Sequence, residues 1–171
     1  MTTYGHTIDL RRLRMFREMT EEELNRIFDH LERAEASAGT VILEGGQPGS
    51  TLYFIERGAV RVKNLVGGQT VVLATLGPHE HFGDMAVIDG KGSSATVETI
   101  EPCVFWCLSR PHFLHLIEDE REIGRKFWRA LAEILSERLR FTNKTLNDYM
   151  RINQTLAENK TFREFYKMCH S

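Results

Sequence analysis

Phe82-Gly83-Asp84-Met85-Ala86-Val87-Ile88-Asp89-Gly90-Lys91-Gly92-Ser93-Ser94-Ala95-Thr96-Val97 decides how this chain of 171 residues is read. A glycine, an acid and a short helix-compatible run stand between two stretches of strand pattern. A one-turn helix entered through glycine points its free N–H groups at a small volume, and such a volume suits an anion. Taken locally, the same residues also describe a β–β loop with one helical turn and no ligand. The surroundings have to decide.

From Ala36 to Leu108 the apolar period is two, with glycine punctuation. Thr40–Leu43 is a short strand closed by Glu44-Gly45-Gly46-Gln47-Pro48-Gly49, and Thr51–Ile55 follows, ending at the turn Arg57-Gly58. Val60-Arg61-Val62-Lys63 alternates apolar and charged, as a half-buried strand should. Gly67-Gly68 supports a tight hairpin into Thr70–Leu76. After a long irregular loop, Thr96–Ile100 and Cys103–Leu108 are joined through Glu101-Pro102. Many short strands without long helices between them predict a roll, barrel or sandwich over residues 36–118.

Both flanks read as helical. In residues 1–35, Thr20 followed by Glu21, Glu22 and Glu23 is a capping box. Leu24, Ile27, Phe28 and Leu31 then form an apolar stripe, and Leu10, Leu13 and Phe16 suggest a shorter segment ahead of it. In the other flank, Ser109 caps a short helix opened by Pro111. Residues 119–171 are expected to hold a long helix and a short terminal one. Trp128, Leu131, Leu135, Leu139, Thr142, Leu146, Tyr149, Asn153 and Leu156 repeat with a period near 3.5, the signature of helix pairing. A second stripe, Ile123, Phe127, Ala130 and Ile134, faces the roll. Thr161-x-x-Glu164 is a further capping box, ahead of Phe162, Phe165 and Tyr166.

With these elements in order, the chain resembles the cyclic-nucleotide-binding domain family, shared by catabolite activator proteins, the protein kinase A regulatory subunit and cyclic-nucleotide-gated channels. The resemblance runs from about Phe16 to Asn147. It rests on Phe16…Glu23-Leu24, Gly39-Thr40-Val41-Ile42…Gly45-Gly46-Gln47, Leu52-Tyr53-Phe54-Ile55…Gly58-Ala59-Val60-Arg61-Val62, Phe82-Gly83-Asp84 and Ala95-Thr96-Val97. It implies a mainly β fold with flanking α: an antiparallel double-stranded β-helix (a β-roll or jelly roll) with N-terminal helices and a long C-terminal dimerisation helix. A ligand pocket is implied under that helix.

The family's phosphate-binding cassette reads Phe-Gly-Glu-Leu, a gap, then Arg-Ser/Thr/Ala-Ala. Its acid holds the ribose 2′-hydroxyl, its helix-start amides hold the cyclic phosphate, and its Arg neutralises that phosphate. The resemblance therefore implies ligand contacts from Gly83, Asp84, Met85, Ala86, Ser93 and Ser94. Asp84 stands at the acid position, one methylene shorter, and the Arg position falls on Ser93. An Arg pairs bidentately with phosphate and a hydroxyl does not. Losing such a contact costs about 2–4 kcal/mol, roughly 30- to 1,000-fold in affinity. Lys91, two residues earlier, reads as a solvated loop residue or as a replacement cation. In catabolite-activator-like members a Thr-Ser pair on the long helix reaches the purine. The aligned residues are Thr142 and Asn143, which either read a base edge or, respectively, bond back to the helix and face solvent.

Bulk numbers exclude other classes. The net charge is −2. Residues 1–120 carry 11 Lys and Arg against 18 Asp and Glu, and residues 121–171 carry 11 against 6, which reads as a basic helix face rather than a nucleic-acid footprint. Cys103, Cys107 and Cys169 form no CxxC pair and read as reduced thiols, so the cytoplasm is expected. No apolar run approaches the ~20 residues of a membrane span, and Met1–Leu10 lacks the apolar core of a signal peptide. No nucleophile elbow and no phosphate loop are present, so an enzyme is not expected. His79-x-His81, with Asp84 beyond, is similar to the first metal motif of cupins, which would need a further His from a later strand. Only 21 residues follow Met150, too few for a helix-turn-helix domain, so DNA binding by the chain itself is not expected. The expectation is a stand-alone, homodimeric regulatory sensor that binds a cyclic nucleotide or another small polar ligand and signals to a downstream protein partner. The alternatives are a ligand-free dimerisation and interaction module, and a cupin-like metalloprotein using His79 and His81.

Overall fold

The computed structural model describes residues 9–159 and residue 168. The terminal helix expected after Thr161, with Phe162, Phe165 and Tyr166, lies outside the described residues, as does Cys169. The chain forms two compact units, residues 1–130 and 131–171.

The first unit begins with two 3-10 turns, Leu10–Arg12 and Arg14–Phe16, that bury Leu10, Leu13, Met15 and Phe16. Helix α1, Glu21–Phe28, starts at the capping box: the Glu23 N–H donates to the Thr20 hydroxyl, and the Thr20 N–H donates to the Glu23 carboxylate. Its buried face carries Leu24 and Ile27.

The strands follow as β1 (Glu32–Ala36), β2 (Val41–Leu43), β3 (Thr51–Arg57), β4 (Val60–Val66), β5 (Gln69–Leu76) and β6 (His81–Phe82), then helix α2 (Asp84–Asp89), β7 (Thr96–Thr99) and β8 (Cys103–Ser109). They build two four-stranded antiparallel sheets, ordered β1-β8-β3-β6 and β2-β7-β4-β5. This is the expected β-roll. Its interior is a cluster drawn from both sheets: Ile55, Phe82, Cys103 and Phe105 from one, Val60 and Val97 from the other. Each such side chain stabilises the roll by about 1.5–3 kcal/mol. Tyr53 stacks flat on Phe82, with ring centroids 4.8 Å apart, and Phe105 meets Phe82 edge-on at 5.7 Å.

Two strands correct the sequence reading. Residues 1–35 were expected to be helical throughout, but α1 stops at Phe28, Leu31 lies beyond it, and β1 begins at Glu32. Glu-Arg-Ala-Glu-Ala has helical propensity; pairing with β8, from Glu32 opposite Cys107 to Ala36 opposite Cys103, overrides it. The second strand, β6, falls inside the long irregular loop and exists because Tyr53 and Phe54 of β3 pair with Phe82 and His81.

Helix α3 (Arg110–Asp119) starts at the Ser109 cap, and α4 (Arg121–Glu158) follows at once. Phe113 of α3 and Phe127 of α4 meet at 5.1 Å, Phe16 lies 6.3 Å from Phe127, and Phe16 touches Phe54 of β3 at 5.1 Å. A second core thus lies outside the roll. In the second unit, α4 leaves Leu135, Leu139, Leu146, Tyr149 and Leu156 of the 3.5-period seam exposed. Among the described residues no helix is long and apolar enough to cross a membrane.

One ion pair ties α1 to the first turns of α4. Lys126 Nζ donates to the Glu23 carboxylate at 2.7 Å, with both side chains mostly buried. Burial pushes the Glu23 carboxyl up, but the bonds from Lys126 and Thr20 outweigh it and hold the group below its ordinary 4.5. A depressed carboxylate contributes stability that is whole above that value and is lost as pH falls below it. Lys126→Met should cost about 1–3 kcal/mol at pH 7 in urea unfolding and flatten part of the acid loss. An unchanged midpoint and acid profile would show that the pair contributes nothing.

Candidate functional site

The stretch that opened the reading lies between β6 and β7. Gly83 caps α2 at φ +85°, the left-handed region where a side chain is disfavoured. A Cβ added there would lie 2.3 Å from the Thr51 carbonyl oxygen of β3. Two requirements, one steric and one conformational, therefore fix glycine at this position. The Val87 N–H donates to the Gly83 carbonyl at 3.1 Å, closing the first helical turn. The N–H groups of Asp84, Met85 and Ala86 precede the first possible intrahelical bond of this type and point out of the helix start.

The six cassette residues are brought together, in different environments. Asp84 is buried at the helix start, with Oδ2 3.6 Å from His81 Nε2. Ala86 is buried, and Met85 is exposed. Ser93 is 6% exposed, and its hydroxyl makes no hydrogen bond. Ser94 is exposed, and its carbonyl accepts from Asn64 Nδ2 at 3.3 Å. Lys91 reaches outward, its side chain 82% exposed and 3.7 Å from Asp89.

Residues 92–93 are strapped to the loop after β2. The Ser93 N–H donates to the Gln47 carbonyl at 2.9 Å, the Gly46 N–H donates to the Ser93 carbonyl at 2.8 Å, and Pro48 and Gly92 form an antiparallel bridge. Gly49 closes the niche: a Cβ there would lie 2.7 Å from Ser93 Oγ and 3.2 Å from Ala86 Cβ. The sequence reading took Gly49 for a turn residue. Its approach to Ser93 joins positions 44 residues apart, and no local spacing announces it.

Thr142 and Asn143 lie on α4 in the second unit, both exposed, with the Thr142 hydroxyl donating to the Arg138 carbonyl at 2.9 Å. The histidines of the cupin alternative do not share one face of a strand. His79 sits in the turn before β6 at φ +69°, and its Nε2 is 3.3 Å from the Arg12 guanidinium, whereas His81 is in β6. Among the described residues no three His, Cys, Asp or Glu side chains are placed to hold one metal ion. The thiols lean away from nucleophilic chemistry: burial, and next Glu32, push Cys107 up to about 11.

A family model, the cyclic nucleotide-binding domain, matches residues 33–120, from β1 to the end of α3. The chain is 32% identical over 127 residues to the cyclic AMP receptor protein of Thermus thermophilus, covering 74% of this chain and 57% of that one. It is 29% identical over 106 residues to the cAMP-dependent protein kinase regulatory subunit of Yarrowia lipolytica, covering 61% and 27%. Among solved structures, the Thermus thermophilus catabolite activator protein matches with a TM-score of 0.71 at 30% identity, covering 80% of this chain and 63% of that one. A cyclic nucleotide-binding domain from Methylobacillus flagellatus matches with a TM-score of 0.72 at 25% identity, covering 77% and 74%. The chain thus spans 57% and 27% of the lengths of the two curated relatives.

Gly83→Ala tests whether β3 sets the cassette. It should lose about 2–4 kcal/mol of stability in urea unfolding, from the left-handed backbone and the contact with Thr51 together. A loss below about 0.5 kcal/mol, the range of ordinary surface substitutions, would show that the turn tolerates a side chain.

Proposed function

The chain belongs to the cyclic nucleotide-binding domain family, and on that premise we propose that it is a non-enzymatic regulatory sensor whose ligand sits at the start of α2. The observation that carries the reading is Ser93: a buried hydroxyl without a partner, strapped beside a glycine-capped helix start. A buried polar atom left unpaired costs about 1–3 kcal/mol, which a ligand atom bonded to it would offset.

The ligand class follows from the donors. The helix-start amides of Asp84, Met85 and Ala86 remain whatever residue stands at 93, because they are backbone. The fixed cation of the family cassette is replaced by a hydroxyl. Lys91 lies beside Asp89, and Lys63 pairs with Glu98. Such a site favours a polar ligand of lower charge than a phosphodiester, with the Asp84 carboxylate accepting from a ligand hydroxyl. Cyclic AMP is proposed to bind weakly, and Thr142 and Asn143 are proposed as base-reading groups from the long helix.

Ligand binding is proposed to bias the packing of α4, and a downstream protein in the cytoplasm to read the change. The acidic balance of residues 1–120 disfavours a DNA backbone as that partner. The exposed seam of α4 supports a parallel homodimer, since a stripe that includes Leu139 at 61% and Leu146 at 57% exposure invites a second helix. The second reading, a ligand-free dimerisation module, rests on that same seam.

Two measurements test the ligand site and the seam in turn. In calorimetric titration, Ser93→Arg should strengthen cyclic AMP binding about ten- to a hundredfold over wild type. Tight wild-type binding unchanged by the substitution would mean that another group neutralises the phosphate. In sedimentation, wild type should be a dimer and the Leu135→Glu, Leu139→Glu double variant a monomer. A wild type that is monomeric at high micromolar concentration contradicts the seam.

A further inference from the structure

Away from the cassette, three imidazoles cluster where the turn after α1 meets α3. His30 stands between two histidines of α3, its ring centroid 5.2 Å from that of His112 and 5.3 Å from that of His115. The turn is held by its backbone, the His30 N–H donating to the Ile27 carbonyl at 3.1 Å. His115 Nδ1 is paired with the Asp119 carboxylate one helical turn on. His112 Nδ1 is buried without a hydrogen-bond partner.

We propose that His112, His30 and His115 form a proton-sensitive joint between α1 and α3, closed while His30 is neutral and loosened once His30 takes a proton. His112 and His115 face the His30 ring at 5.2 and 5.3 Å, so a proton arriving on His30 enters a site crowded by two imidazoles and partly withdrawn from water. Burial first, then the facing His112 and His115, hold His30 below its ordinary 6.5, while Asp29 in its own turn acts in the opposite sense. Of the other charges here, Arg26 of α1 is taken up by Glu22 and by Glu120, which lies just past α3. A histidine held below its ordinary value contributes stability that is whole above pH 6.5 and is lost as pH falls below it. The joint therefore opens on acidification. Arg110, the first residue of α3, donates to the Ile88 carbonyl of α2 at 3.5 Å, so the joint and the cassette helix are attached to one element.

A metal ion is the competing occupant of any histidine trio. The rings of His112 and His115 are inclined to that of His30 by 50° and 72°, and no three ligating side chains among the described residues are placed around one ion. Proton binding needs no such placement.

The test is thermal unfolding of the full chain at pH 7.5 and pH 5.5, with hydrogen exchange of residues 28–32 and 110–119. Acidification should lower Tm by about 2–4 °C more in wild type than in His30→Phe. Opening of the joint amides, corrected for intrinsic exchange, should rise about tenfold in wild type and not in the variant. The His112→Gln, His115→Gln double variant keeps His30 and removes the imidazoles that face it. Because burial of His30 persists, it should weaken the acid-dependent opening rather than abolish it, and it provides the test if His30→Phe does not fold. Equal acid responses in wild type and variants overturn the proposal. Stabilisation of wild type by stoichiometric Zn²⁺ that vanishes in the variants also overturns it, because the cluster is then a metal site.

Discussion

β3 is hydrogen-bonded along both edges, to β8 on one side and to the two-residue β6 on the other. The cassette depends on that double pairing. β6 is too short to hold a position alone, so its place is set by Tyr53 opposite Phe82 and Phe54 opposite His81. The next residue, Gly83, then passes so close to the Thr51 carbonyl that no Cβ fits. From there α2 starts, with the buried Asp84 at its head. Packing on both faces keeps β3 in register: Ile55 belongs to the roll interior, and Phe54 on the other face meets Phe16 of the second core.

The second support of the site comes from the other end of the loop. Gln47 and Gly46 clamp Ser93 through two backbone bonds, and those bonds do not depend on which side chain residue 93 carries. The backbone at residue 93 is thus held by bonds that its side chain does not make. A family scaffold with intact helix-start donors and a buried acid, but without its fixed positive charge, is suited to a different charge state of ligand.

Much of this was legible in the sequence, and the exceptions share a cause. The strands built on β-branched and aromatic alternation, such as Thr51–Arg57 and Cys103–Ser109, stand where the period placed them. Glu32–Ala36 was not legible, because its side chains favour a helix and only the partner strand makes it extended. His81–Phe82 is too short to show a period. The cassette motif was legible as a motif, with its glycine, its acid and the departure at Ser93. The burial of the Ser93 hydroxyl and its contact with Gly49 were not, since both arise from a loop 44 residues earlier in the chain. The histidine cluster was invisible for the same reason: His30 and His112 meet although the whole roll lies between them in the sequence.

The central claim is that a small polar ligand binds at Gly83 and Asp84. It is tested most directly by mass spectrometry of small molecules that remain bound during gentle purification, with wild type and Asp84→Ala compared side by side. The account predicts a polar, hydroxyl-bearing molecule of low charge retained stoichiometrically by wild type and largely lost by Asp84→Ala. A molecule retained equally by both proteins, with no density beside Gly83 in a crystal of the complex, would contradict it.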